Sequence, residues 1–275
     1  MRKFSIIISV ISLLVSSNSY CQTLSNQIEI NSKYVRDTKY VIDIMLPPDY
    51  DSTHIYPILY CVDNWLGSKF LPGMLYLLNF SQTIEPLIVF GVGNGGNIND
   101  WQMERTRDLT PFHIPKNDIS YSYSAGNLGI TGGADTFLLF IKNELIPLIE
   151  SRYKSDTLKR GLFGYSNGGL FGVYALIKYP ELFDIYFLGS PSLWYNDYAL
   201  VDSLIAMPPK GISNIKAIYI SVGEKENDSQ LKGVTDLKNW FQEKNISSLK
   251  LTTHIFSGED HRSAIIPAYY ESFKC

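Results

Sequence analysis

Short apolar runs alternate with stretches of helical periodicity along most of this 275-residue chain, and no other feature constrains its fold as strongly. The apolar runs that we expect to form strands are residues 58–62, 87–92, 161–163, 185–188, 217–222 and 249–256. The stretches that we expect to form helices are residues 71–80, 134–151, 168–178, 198–206, 230–244 and 265–273. This alternation predicts a mostly parallel sheet with helices on both faces, whose ligands bind at the carboxyl ends of the strands.

The segments outside this alternation complete the expected architecture. Residues 26–48 show an alternating, β-branched pattern that ends at Pro47 and Pro48, which predicts an antiparallel pair at the N-terminal edge of the sheet. The interval 110–133 is polar and rich in Tyr, Ser and Gly, so we expect a loop or cap over the active-site edge. Because no repeat or linker divides the chain, residues 22–275 are predicted to form a single domain.

The first 21 residues have the pattern of a secretory signal peptide. Arg2 and Lys3 precede an apolar run over residues 4–15, and Ser19 and Cys21 place small side chains before a cut at Gln22. A retained anchor and a lipoprotein signal are the alternatives. The pattern predicts export to the periplasm or the extracellular space, with no stable membrane insertion after cleavage, because no later segment is long and apolar enough to span a bilayer.

Charge and cysteine usage exclude other classes of function. The net charge of −3 gives no electrostatic footprint for nucleic acid. After cleavage only Cys61 and Cys275 would remain, and their spacing matches neither a disulfide framework nor a zinc site. Cys61 lies in an apolar run and is interpreted as a buried thiol, whereas Cys275 has no evident partner.

The segment Gly164-Tyr165-Ser166-Asn167-Gly168 matches the G-x-S-x-G pattern between a predicted strand and a predicted helix. Such a strand-to-helix turn projects the serine hydroxyl but strains the backbone, so we expect that only glycine fits at 164 and 168. The following helix would point its free N–H groups at the reacting centre. Ser166 is therefore the candidate nucleophile.

A serine nucleophile needs a base and an acid, which follow it along the chain in this type of turn. Of the four histidines, His54 and His113 precede Ser166, and His254 lies within a predicted strand. His261, in a polar loop after the last strand, is the candidate base, and His113 is a possible substrate contact. The acid should follow the strand at 217–222, where position alone does not separate Glu224, Glu226 and Asp228.

These residues resemble the putative-esterase (esterase D-like) branch of the α/β-hydrolases, and within it the siderophore (enterobactin/salmochelin) esterase-like group and the feruloyl esterases. The likeness runs from about residue 30 to 273. The segments that carry it are Tyr60-Cys61-Val62-Asp63-Asn64, Arg105-Thr106-Arg107-Asp108-Leu109-Thr110-Pro111, Gly132-Gly133-Ala134-Asp135, Glu144-Leu145-Ile146-Pro147, Gly164-Tyr165-Ser166-Asn167-Gly168-Gly169, Ser190-Pro191-Ser192-Leu193-Trp194 and Gly258-Glu259-Asp260-His261.

The resemblance implies an α/β-hydrolase fold and roles for particular residues. The acid maps to Glu226, three residues after Gly223, and the oxyanion hole to the backbone N–H of Asn167 with that of Asn64 or Trp65. Where relatives often have Asp-Gly, this chain has Asp63-Asn64-Trp65, and Asn167 follows Ser166 where relatives have a hydrophobic residue. Neither departure removes a backbone N–H. Substrate contacts are expected from Arg107, Tyr165 and Trp194, although Arg105, Arg107 and Asp108 could equally form an ion-paired loop.

The sequence thus predicts a serine esterase that cleaves a small organic ester with a Ser-His-Glu triad and needs no cofactor or metal. A siderophore lactone and a feruloyl or acetyl sugar ester are the candidate substrates. An acyltransferase with the same triad and a catalytically silent binding protein are the alternative functions.

Overall fold

A central sheet organises the computed structural model, which describes residues 26–93, 95–115, 130–206 and 210–274. Its strands are β1 (Asn26–Asn31), β2 (Lys39–Met45), β3 (Tyr56–Val62), β4 (Ile88–Gly93), β5 (Ser155–Tyr165), β6 (Ile185–Gly189), β7 (Ala217–Gly223) and β8 (Lys250–Phe256). The predicted signal peptide, the middle of the loop at 110–133 and Cys275 lie outside the described residues.

The strands are ordered β1-β2-β4-β3-β5-β6-β7-β8 across the sheet. Strands β3 to β8 run parallel to one another, whereas β2 pairs antiparallel with both β1 and β4. The prediction of a mostly parallel sheet with an antiparallel N-terminal edge is therefore confirmed.

Helices cover both faces of the sheet. They are α1 (Asn64–Gly67), α2 (Leu71–Phe80), α3 (Ile98–Asp108), α4 (Ala134–Phe140), α5 (Ile146–Arg152), α6 (Asn167–Lys178), α7 (Ala199–Ala206), α8 (Asp228–Lys244) and α9 (Ile265–Phe273). A π-helical turn, Ile141–Leu145, joins α4 to α5. Helices α1 and α3 were not expected from the sequence, whereas the other segments agree with the predicted ranges to within a few residues. Among the described residues, no helix is long and apolar enough to cross a membrane.

Side chains alternate between two buried clusters, one on each face of the sheet. Along β3, Ile58, Tyr60 and Val62 enter the larger cluster, and Leu59 and Cys61 enter the smaller one. The Cys61 thiol is fully buried, and this burial raises its pKa, so it stays a protonated, unreactive core group as the sequence indicated. With both faces packed, the carboxyl-end loops are the part of the sheet left for chemistry.

The two ends of the segment 110–133 are held together next to that edge. The Thr110 hydroxyl accepts the backbone N–H of Gly132 at 2.8 Å, and the Thr131 hydroxyl accepts that of Ile114 at 2.7 Å. Tyr195 donates to the Phe112 carbonyl oxygen at 2.6 Å. These bonds fix where the segment leaves and re-enters the domain.

Candidate active site

The turn at Ser166 joins β5 to α6 in a strained conformation. Ser166 has φ 58° and ψ −116°, a region that L-residues rarely adopt. A Cβ on Gly164 would lie 2.1 Å from the Gly168 carbonyl oxygen, so glycine is required there, as predicted. The same expectation is wrong for Gly168, whose added Cβ would make ordinary contacts from 3.4 Å outward; the tight second position is Gly169, where a Cβ would lie 2.8 Å from Cα of Pro191.

Three side chains from separate loops form a continuous hydrogen-bonded chain. Ser166 Oγ lies 2.9 Å from His261 Nε2, and His261 Nδ1 lies 2.7 Å from Glu226 Oε2. Because a carboxylate only accepts, we assign the imidazole proton to Nδ1, which leaves Nε2 free to accept from the serine hydroxyl. The His261 side chain is 42% exposed while that of Glu226 is 1% exposed. This is the geometry of a nucleophile, a general base and a buried orienting acid.

The other acidic candidates face elsewhere. Glu224 accepts the backbone N–H of Gly258 and the Ser257 hydroxyl, and its pKa is lowered mainly by the first of these bonds. Asp228 begins α8, and Asp260 accepts backbone N–H groups of its own turn. Of the carboxylates that sequence position left open, only Glu226 contacts the imidazole of His261 among the described residues.

The remaining histidines also lie in other surroundings. His54 is paired with Asp51 on the surface, and the His254 ring lies 4.4 Å from that of Phe256 within β8, tilted by 38°. His113 Nδ1 lies 3.3 Å from the carbonyl oxygen of Thr131. None of these three lines a cavity that contains Ser166.

Tyr165 supports the loop that carries the candidate base. Its hydroxyl donates to the His261 carbonyl oxygen at 2.8 Å. Burial, together with the negative charge of Glu226, raises the pKa of Tyr165 well above its usual value, so the hydroxyl stays protonated and keeps donating. Its ring also lines the cleft beside Ser166, and the substrate contact expected of it remains a prediction.

Two serines that the sequence reasoning did not single out also reach the candidate site. Ser192 Oγ lies 3.2 Å from Ser166 Oγ, and Ser190 Oγ lies 2.6 and 2.7 Å from the two carboxylate oxygens of Glu226. Both belong to the Ser190-Pro191-Ser192 segment quoted for the resemblance, which was the available signal.

The backbone N–H groups expected to bind an oxyanion lie at the beginnings of two helices near Ser166. Asn167 is the first residue of α6, and Asn64 and Trp65 are the first two residues of α1. The N–H groups at such positions have no acceptor within their helix and point outward. The buried Asn64 side chain anchors α1 through a 2.7 Å hydrogen bond from Nδ2 to Asp43 Oδ2. The assignment of one donor to Asn167 and the other to Asn64 or Trp65 remains a prediction.

Two cavities meet at Ser166 and His261. One, of about 450 Å³, is walled largely by apolar and aromatic side chains, namely Val62, Leu66, Trp101, Tyr165, Ile265 and Tyr269. The other, of about 300 Å³, is polar and is lined by Asn167, Ser192, Trp194, Glu226, Asn227 and Gln230. Trp194 donates from Nε1 to Gln230 Oε1 at 2.7 Å, which holds its ring at the wall of the polar cavity.

Arg105, rather than Arg107, borders both cavities. Arg105 donates hydrogen bonds from Nε and Nη2 to the carboxylate of Asp63 at 2.6–3.0 Å, and its guanidinium lies 4.9 Å from the Trp101 ring centroid. Arg107 instead binds the buried Asp108, at 2.6 Å from Nε to Oδ1. Arg107 lines neither cavity, so its geometry fits the ion-paired loop that the sequence offered as the alternative, and its contact with substrate remains a prediction.

Comparison with known proteins identifies the family to which the sequence is similar. The Putative esterase family model matches residues 32–264. The ferri-bacillibactin esterase BesA of Bacillus subtilis is 30% identical over 140 residues, covering 49% of this chain and 48% of that protein. The siderophore enterobactin esterase of Emericella nidulans is 40% identical over 119 residues, covering 42% and 38%. The matched part is thus about half of these curated relatives or less.

A solved structure extends the likeness over the full chain. The BES protein from Bacillus cereus superposes with a TM-score of 0.76 at 26% identity, covering 100% of this chain and 98% of that one. The strand order, the strained turn at Ser166 and this superposition identify the α/β-hydrolase fold. Because the family model also matches most of its length, the chain belongs to the Putative esterase family.

Proposed function

We propose that this protein is a serine carboxylic-ester hydrolase in which Ser166 is the nucleophile, His261 the general base and Glu226 the orienting acid. The observation that carries the proposal is the hydrogen-bonded chain from Ser166 Oγ through the imidazole to the buried carboxylate, 2.9 and 2.7 Å long. It opens onto a cleft large enough for an organic ester. Family membership supports the same reaction.

The reaction would proceed in two acyl-transfer steps. Ser166 Oγ attacks the ester carbonyl carbon while His261 Nε2 takes the hydroxyl proton, and the oxyanion accepts hydrogen bonds from backbone N–H groups of Asn167 and of Asn64 or Trp65. His261 then gives its proton to the departing alcohol oxygen. In the second step it deprotonates a water that attacks the acyl-enzyme, which frees the carboxylic acid and restores Ser166.

The substrate class that we propose is the ester linkage of a siderophore. The curated relatives include esterases named for triacetylfusarinine C, ferri-bacillibactin, enterobactin and apo-salmochelin. An apolar, aromatic cavity on one side of Ser166 and a polar one on the other suit an ester with an aromatic group on one side and a polar group on the other. The predicted signal peptide would export the enzyme to the periplasm or the extracellular space, where it could encounter siderophores.

The first experiment compares wild type with Ser166→Ala on p-nitrophenyl acetate, trilactone siderophores, and feruloyl and acetyl sugar esters. We expect turnover to fall to background in Ser166→Ala, and the trilactones to have the highest kcat/KM for wild type. Ser272→Ala, which removes a buried hydroxyl on α9, is the matched control and should keep full activity. Full activity of Ser166→Ala would refute the assignment of Ser166 as the nucleophile.

The product profile separates hydrolysis from acyl transfer. Wild-type enzyme should release free acid whether or not an alcohol or sugar acceptor is present. If the acyl group passes to the acceptor instead, the enzyme is an acyltransferase. If feruloyl or acetyl esters have the highest kcat/KM, the siderophore assignment is wrong although the esterase assignment holds.

A further inference from the structure

We propose that Ser190 is a positioning residue that holds the Glu226 carboxylate in line with the imidazole of His261, an inference that rests on the proposed hydrolytic function. Ser190 follows β6, the strand between the one that leads to Ser166 and the one that leads to Glu226. It is fully buried and lines neither of the two cavities at Ser166, so we infer that it acts through the acid and not on substrate.

The backbone around Ser190 is tied to both neighbouring loops. The Ser190 N–H donates to the Ser221 carbonyl oxygen in β7 at 2.7 Å. The preceding residue, Gly189, accepts the N–H of Ser166 at 2.9 Å. The segment is thus anchored to the nucleophile on one side and to the strand that leads to Glu226 on the other, which places the Ser190 side chain accurately relative to both.

The Ser190 hydroxyl lies between the acid and the base. Its Oγ is 2.6 Å from Oε1 and 2.7 Å from Oε2 of Glu226, and 3.2 Å from Nδ1 of His261. The carboxylate also accepts the Gly223 N–H on Oε1 at 2.9 Å and is bonded to His261 through Oε2. Since a carboxylate is an acceptor only, the hydroxyl donates its single proton to Glu226.

Burial makes this hydroxyl hard to replace. The Glu226 side chain is 1% exposed, so loss of this hydrogen bond leaves a buried carboxylate short of a donor. The terminal torsion of a glutamate is broad and has no strong preference of its own. Without Ser190, the carboxylate would be held by the N–H of Gly223 and by the imidazole that it is meant to orient.

The backbone conformation of Ser190 also supports a positioning role for its hydroxyl. Its φ is 40°, in the left-handed region where glycine or asparagine is favoured over serine. A glycine would satisfy the backbone at lower cost but would lack the hydroxyl. The strained backbone of Ser190 carries a side chain that is bonded to the candidate acid. Such strain is found at functional sites, where the surrounding structure maintains it.

Two variants separate the hydroxyl from the backbone. Ser190→Gly and Ser190→Ala both remove the hydroxyl, but only the glycine relieves the strain at φ 40°. We expect kcat on p-nitrophenyl acetate to fall about tenfold or more in both, equivalent to about 1.4 kcal/mol, with KM unchanged. Ser272→Ala is the control for loss of a buried hydroxyl elsewhere.

Labelling with a fluorophosphonate, which reacts with activated serines, supplies a second readout that needs no ester substrate. Both Ser190 variants should still reach one label per chain at Ser166, but at a rate about tenfold below wild type. A merely structural defect would lower the final amount of label without slowing the rate. Full kcat and a wild-type labelling rate in Ser190→Gly would overturn the proposal, as would a wild-type chain that is never labelled.

The two proposals fail in distinguishable ways. If wild type is labelled at Ser166 but hydrolyses no ester, the proposed function is wrong, while the labelling rates still decide the role of Ser190. If Ser166-dependent hydrolysis is found and Ser190→Gly is as fast as wild type, the proposed function stands and the positioning role is wrong.

Discussion

At the scale of single residues, some members of the candidate site can be predicted from a sequence motif, whereas others are identified only from their contacts in the folded structure. Ser166 follows from a motif with a steric reason, and His261 from chain order among four histidines. Glu226 could not be separated from Glu224 and Asp228 by position, because carboxylates a few residues apart in one loop differ only in where the backbone turns them. Ser190 escaped prediction for the same reason: its role depends on φ 40° and on contacts with residues distant in sequence.

The role of Glu226 predicts a large loss on a minimal change. Glu226→Gln keeps the size of the side chain but removes the charge that stabilises the imidazolium and selects the tautomer with the proton on Nδ1. We expect kcat to fall about 10³–10⁴-fold in steady-state assays with an unchanged circular dichroism spectrum. Glu224→Gln, in the same loop but bonded to Ser257 and Gly258, is the matched control and should stay within about twofold of wild type. Comparable activity of the two variants would contradict the assignment of the acid.

At the scale of elements, helix α3 was the hardest to predict from the sequence, and its position determines which arginine faces the cleft. Helix α3 has the sequence INDWQMERTRD, which lacks an apolar stripe, and it begins at a capping box between Asn97 and Asp100. On a helix, residues two apart face different directions, so Arg105 and Arg107 cannot both border the cleft. With α3 unrecognised, the sequence did not distinguish them, and the contact was assigned to Arg107.

The turn between β5 and α6 predicts that Gly164→Ala lowers the stability of the protein. In Gly164→Ala the new Cβ would lie 2.1 Å from the Gly168 carbonyl oxygen, so the backbone around Ser166 must move. We expect the free energy of unfolding to fall by about 1–3 kcal/mol or more, with loss of esterase activity. The measurement is urea unfolding together with an activity assay.

Gly73→Ala is the control for this change. Gly73 lies within α2, and a Cβ there would meet nothing within 4 Å. We expect this variant to gain about 0.5–1 kcal/mol in stability with full activity, because alanine is the better helix former. Equal stability of the two variants would show that the turn at Ser166 is not as tight as described.

At the scale of the whole molecule, strand order explains how distant residues meet. Strands β5, β6, β7 and β8 are consecutive across the sheet, and the loops after them carry Ser166, Ser190, Glu226 and His261. The alternating pattern predicted the strands, their parallel direction and the edge at which the site would lie. It did not predict which strands are neighbours, because that depends on the tertiary packing of helices between them.

Such an assembly makes the reactivity of Ser166 a property of the folded chain. An isolated serine hydroxyl is a weak nucleophile, and the proposed activation of Ser166 depends on an imidazole that lies 95 residues further along the chain. Unfolding separates the two, so any special reactivity of Ser166 should disappear with the fold.

The most direct measurement is mass-spectrometric mapping of fluorophosphonate labelling on native wild type, native Ser166→Ala and urea-unfolded wild type. The account predicts one adduct per native wild-type chain, located on Ser166, and no adduct on either of the other two samples. An adduct on a different serine, equal labelling of Ser166→Ala, or an unlabelled native chain would contradict it.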